Sequence, residues 1–95
     1  MNHYEALYIL KADLGEEATK ANVERYSALI SANGGTVDSV DEWGKRRLAY
    51  PIDYNVDGYY VLMKFFSEPT LPTELERNYK INDVVLRYLV TRLDG

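Results

Sequence analysis

Apolar and polar positions alternate most clearly through residues 58–66, Gly-Tyr-Tyr-Val-Leu-Met-Lys-Phe-Phe. Tyr59, Val61, Met63 and Phe65 share one parity, and Tyr60, Leu62, Lys64 and Phe66 the other. Successive side chains of a strand point to opposite faces, so this stretch reads as a strand. Residues 3–10 read as another. Tyr4, Ala6, Tyr8 and Leu10 occupy one parity, Leu7 and Ile9 the other. A strand apolar on both faces belongs in the middle of its sheet. Thr36 to Asp41 is a further strand, with Val37 and Val40 out of strict alternation, so a bulge or twist is expected near Ser39. The pattern breaks at Trp43-Gly44 and resumes from Arg46 to Ile52, making one long, bent strand that reaches beyond the sheet. Leu48, Tyr50 and Ile52 share a parity and are expected to anchor it in the core. Asp53–Asp57 reads as a polar turn, with Asp57-Gly58 as the hairpin punctuation. The last strand, Val84–Leu93, follows an Asn82-Asp83 turn. It sets Leu86, Tyr88 and Val90 against Arg87, Leu89 and Thr91.

Two segments carry helical spacing instead. Thr19, Val23, Tyr26 and Ile30 recur three or four apart, with Leu29 beside them. Asp13 is expected to cap this helix, with Glu16 three residues on, and Asn33-Gly34-Gly35 to end it. Leu71, Leu75 and Tyr79 fall at four-residue steps in a second, shorter helix, where Pro72 suits the first turn. The order is β-α-β-β-α-β. Two helices can cover only one face of a four-stranded antiparallel sheet, which gives an α+β, ferredoxin-like domain over residues 1–95. With the helices on the Tyr4, Tyr59 and Tyr88 face, the other face carries Leu7, Ile9, Tyr60, Leu62, Lys64, Phe66, Arg87 and Leu89. That face is too apolar for solvent and yet holds two cations, so a partner is expected to lie on it.

Charge changes the picture locally. The net charge is −4, but residues 1–43 hold three Lys/Arg against eight Asp/Glu, and residues 44–95 hold eight against seven. Lys45, Arg46 and Arg47 are consecutive. A cationic patch can therefore exist on an acidic chain. The nine tyrosines suit both a core and wet interfaces. With no cysteine there is no disulfide framework and no thiolate metal site. No apolar run approaches the roughly 20 residues of a membrane helix, and the N-terminus lacks the pattern of a signal peptide. These features fit a reducing cytoplasm.

Catalytic chemistry is missing. The single histidine, His3, stands at a strand start without a ligand or triad constellation around it in sequence. Gly34-Gly35 follows a helix rather than leading into one, so there is no phosphate loop. Neither an enzyme nor a cofactor is expected.

The run Gly44-x-Arg46-Arg47-Leu48-Ala49-Tyr50-Pro51-Ile52 resembles the signature of the bacterial small-subunit ribosomal protein S-six family. Tyr4-Glu5 before an apolar strand, Asp57-Gly58-Tyr59, and Asp83-Val84 at the last strand match in order and spacing, so the resemblance covers the whole chain. It implies a ferredoxin-like fold and a place in the small ribosomal subunit, in the cytoplasm. Its implied partners are the central domain of small-subunit ribosomal RNA and a small basic ribosomal protein, S-eighteen, held as a heterodimer. RNA contacts are then expected at Lys45, Arg46, Arg47, Lys80, Arg87 and Arg92. The protein-partner face is expected at Leu7, Ile9, Tyr50, Tyr60, Leu62, Lys64, Phe66 and Leu89. Two departures limit the transfer. Asn2 and His3 stand where the family often has basic residues, and the chain stops at Asp94-Gly95 without an acidic tail. An RNA-recognition-motif-like module that stacks single-stranded RNA on Tyr60 and Phe66 is the rival, although strand three lacks that family's motif.

Overall fold

A computed structural model of the chain describes residues 1–93; the expectation at Asp94-Gly95 lies outside the described residues. The elements are β1 (Asn2–Lys11), α1 (Glu16–Ala32), β2 (Thr36–Ile52), β3 (Asn55–Ser67), α2 (Leu71–Ile81) and β4 (Val85–Arg92). They build one antiparallel sheet in the order β2-β3-β1-β4. The doubly apolar β1 is indeed central.

The core lies between one sheet face and the helices. Tyr4, Ala6, Tyr8 and Leu10 of β1 and Val61, Met63 and Phe65 of β3 meet Val23, Tyr26 and Ile30 of α1 and Leu71, Leu75 and Tyr79 of α2. Its centre is aromatic. The rings of Tyr8, Tyr26 and Tyr79 lie 4.5 to 5.2 Å apart, centroid to centroid. Asn82, at the end of α2, donates to the Tyr26 hydroxyl (2.7 Å) and to Asn22 (3.0 Å), tying the two helices together. The hydroxyls of Tyr8 and Tyr79 are buried without a hydrogen-bond partner among the described residues.

Three local expectations are corrected. The residue before α1 is Gly15, with no side-chain cap; Asp13 sits in the preceding turn, too early to reach the helix amides. Thr19 instead donates back to the Gly15 carbonyl at 2.8 Å. The hairpin turn is Asp53-Tyr54, not Asp57-Gly58, and β3 therefore starts at Asn55. The second strand is one long strand from Thr36 to Ile52, as expected; its register slips at Trp43-Gly44 and, where a bulge was expected, at Asp38 next to Ser39. In β4 a slip leaves Leu86 unpaired, so Val85 rather than Leu86 faces Leu10 and joins Tyr88 and Val90 against the core.

Candidate partner and RNA interface

The face opposite the helices is the one the alternation expects. Leu7 of β1 lies between Leu62 of β3 and Leu89 of β4, and Ile9 between Tyr60 and Arg87. Leu7, Tyr60, Leu62 and Lys64 are half-buried; Phe66 is 36% and Leu89 63% exposed. Together they make an apolar strip that is partly open to solvent, most of all at Leu89.

The strand β2 shapes the rest. At its second register slip, Trp43 and Gly44 together oppose Tyr60. Gly44 takes φ 86°, a left-handed conformation that glycine adopts without a Cβ clash. The slip turns the indole onto the open face, where it stacks on Tyr60 with centroids 6.0 Å apart and planes 11° from parallel. The guanidinium of Arg46 also lies over the indole, 4.9 Å from its centroid. Two residues on, Leu48 is buried to 7% over Gly58 and Ile9. Gly58 is required for this approach. A Cβ there would fall inside the Ile9 Cγ2 methyl and 3.3 Å from a Leu48 methyl. The β2–β3 hairpin beyond Gly44 thus forms an arm that curls across the open face. Its Tyr50 reaches Arg87 on β4, whose guanidinium lies 5.4 Å from the ring centroid and donates to the hydroxyl at 3.3 Å.

A family model described as ribosomal protein S6 matches residues 3–92. The chain belongs to the ribosomal protein S6 family. It is 55% identical to the small ribosomal subunit protein bS6 of Thermoanaerobacter pseudethanolicus over 94 residues, 99% of each chain. It is 51% identical to that of Clostridium novyi over 90 residues, 95% of each. Its fold matches the crystal structure of the S6 protein of Thermotoga maritima with a TM-score of 0.92, at 28% identity, covering 97% of this chain and 87% of that one. As an S6 family member the chain is a structural, non-enzymatic component of the small ribosomal subunit, and its place is the ribosome in the cytoplasm. Its partners are accordingly ribosomal RNA and ribosomal proteins.

The residues expected to serve an S6 protein's interface are not all where the linear motif suggests. The triplet is split across two sides of β2. Arg46 pairs with Gly58 and lies on the open face. Lys45 pairs with Tyr59 and Arg47 with Asp57, on the side that carries the helices. Lys45 is also tied to Asp57 at 3.8 Å. Arg87 lies on the open face under Tyr50. Lys80 is exposed on α2, and Arg92, which donates to Asn2 at 3.2 Å, pairs with Tyr4. Both therefore stand on the helix side, away from Arg46 and Arg87. The six cations do not form one patch.

Two further residues are reassigned. Ile9 is 5% exposed beneath Leu48, so it supports the S6 fold's arm instead of meeting a partner. Tyr50 is 59% exposed, so of the three expected anchors only Leu48 is buried and Ile52 is half-buried. Asp41 and Glu42 are not paired with the arginines. They accept hydrogen bonds from Trp43 Nε1 (3.2 Å) and the Tyr59 hydroxyl (2.8 Å). The second bond holds the Tyr59 proton and pushes its pKa above the usual phenol value. At the far end of the open face, His3 stacks on Phe66 at 4.2 Å and contacts Asp38 at 3.2 Å. Trp43 and Gly58 are the residues shaping the open face that sequence reading misses. The signal for Gly58 was its place in an alternating strand, where a glycine marks a close approach.

Proposed function

We propose that the chain, acting as one domain over residues 1–95, seats the small basic ribosomal protein S-eighteen on its open sheet face. The pair then binds the central domain of small-subunit ribosomal RNA. The observation that carries this is the apolar strip of half-buried Leu7, Tyr60 and Leu62 and exposed Leu89 on the face without helices, beside two arginines held on aromatic rings. The strip supplies apolar area for a protein partner, with Lys64 and Phe66 at its border. Each arginine is oriented by the ring beneath it, which reduces the freedom lost on binding. Arg46, Arg47 and Arg87 contact phosphates, Lys45 does so on release from Asp57, and Lys80 and Arg92 reach RNA only if it wraps the helix side. With a net charge of −4, the chain alone binds RNA weakly, and the basic partner supplies the remaining charge.

Base stacking on the sheet, as in an RNA-recognition motif, fits less well. Tyr60 is already stacked on Trp43 and Phe66 on His3, so one face of each ring is taken. Joint substitution of Tyr60→Ala and Leu62→Ala separates the two. Loss of S-eighteen binding supports the proposal. Loss of single-stranded RNA binding with the protein partner unaffected supports the rival.

A further inference from the structure

Tyr54 stands at the tip of the arm and is fully exposed, at 103% of its reference area. It is the second residue of the two-residue turn between the paired Ile52 and Asn55. Asp53 has φ 47° and Tyr54 φ 65°. Positive φ at both central positions is what a type I′ turn requires, and Asn and Gly take it most easily. A tyrosine there crowds its Cβ against the backbone. Nothing in the fold repays this. Among the described residues the Tyr54 ring has no stacking partner and its hydroxyl no hydrogen bond. The turn is held without it, by Asn55 Nδ2 donating to the carbonyls of Ile52 (3.2 Å) and Asp53 (3.1 Å). A large ring is displayed to solvent from a position that favours a small residue. Strain that the fold does not use points to a role outside it.

The surroundings indicate what meets the ring. Tyr54, Lys45 and Val56 line an open groove of about 290 Å³ together with Asp13 and Asp57, the latter 3.8 Å from the Lys45 ammonium. Lys45 is the cation of that groove, and Arg47 pairs on the same side of the arm. Residues 44–58 carry Lys45, Arg46 and Arg47 against Asp53 and Asp57, so the arm is cationic on an acidic chain.

We propose that Tyr54 is a stacking platform for one unpaired base of RNA, with Arg47, and Lys45 on release from Asp57, receiving the flanking phosphates. This rests on the RNA-binding reading above. Aromatic stacking accepts any base, so the platform selects an unstacked nucleotide in a loop or bulge rather than a sequence.

The test measures small-subunit ribosomal RNA binding by the full chain together with its basic partner, alongside thermal unfolding of the chain. Tyr54→Gly is expected to have two effects of opposite sign. It raises Tm by about 5 °C, because the turn is relieved, and weakens RNA affinity by about tenfold, because the stack is lost. Tyr54→Phe keeps the affinity, and Tyr54→Leu loses it. A ring with only a structural role cannot give opposite signs. Unchanged affinity in Tyr54→Gly overturns the platform, and leaves the RNA reading standing if Arg46→Ala with Arg47→Ala still weakens binding. Unchanged affinity in both overturns the RNA reading as well. Reduced affinity of Tyr54→Gly for the partner protein without RNA also overturns the platform, in favour of a protein contact.

Discussion

The guanidinium of Arg87 lies 5.4 Å from the ring centroid of Tyr50 and donates to its hydroxyl, although the two residues belong to the strands at opposite edges of the sheet. The contact exists because the β2–β3 arm folds over β3 and β1, with Leu48 seated on Gly58 and Ile9.

The seat is tested at Gly58. A Cβ there meets the Ile9 Cγ2 methyl and a Leu48 methyl, so Gly58→Ala is expected to destabilise by about 1–3 kcal/mol through overpacking. Ile9→Leu moves the branch away from Cβ and should restore most of the loss. Urea unfolding of the two single variants and the double variant checks this. Additive losses would contradict the contact, since residues that touch show non-additive effects.

The split of the cationic triplet predicts different consequences for neighbours. Arg47 faces the helix side with no ion-pair partner among the described residues, so Arg47→Ala should lower the salt dependence of RNA binding by about one phosphate's worth. Arg46 sits on Trp43 on the open face, so Arg46→Ala should lower the salt slope similarly and, unlike Arg47→Ala, also weaken affinity for the basic protein, measured without RNA. Equal affinities of the two variants for the basic protein would show that the face they occupy does not matter.

The buried phenols predict an alkaline limit. Burial pushes Tyr8 and Tyr79 far above the ordinary phenol pKa, and Tyr26 less, since its bond from Asn82 favours the ionised form. Their folded pKa values exceed the unfolded ones. Stability is therefore fully present below about pH 10 and falls above it, by about 1.4 kcal/mol per pH unit for each phenol that ionises only on unfolding. Urea midpoints between about pH 9 and 11 measure the slope. Replacing Tyr8 and Tyr79 by Phe should flatten it.

The same phenols separate satisfied from orphaned hydroxyls. Tyr8→Phe or Tyr79→Phe removes a buried hydroxyl that has no partner and should leave stability at neutral pH equal or higher. Tyr26→Phe removes the acceptor of Asn82 and should cost about 1–2 kcal/mol. A larger loss at Tyr8 than at Tyr26 would contradict this assignment.

The fold was legible where periodicity alone decides it. β1 and β3 alternate without interruption, so their parities place the core and the open face correctly. β2 and β4 were read less well because each contains a residue that the ladder skips. Trp43 and Leu86 look like pattern breaks or face members until the partner strand is known. The turn was misplaced for a chemical reason. Asp57-Gly58 has the composition of a type I′ turn, whereas the chain turns at Asp53-Tyr54 and uses Gly58 to admit Ile9. Contacts such as Tyr50 with Arg87, 37 positions apart, leave no trace in local pattern.

The central claim is that this S6-family chain binds ribosomal RNA as one half of a protein pair. Its most direct test is equilibrium binding to small-subunit ribosomal RNA by the chain alone, by the small basic protein S-eighteen alone, and by both together. The account predicts that the pair binds at least tenfold more tightly than either protein. It also predicts that the gain is lost when Leu62→Ala and Leu89→Ala remove the open face's apolar strip. Equal affinity of the chain with and without its partner would contradict it.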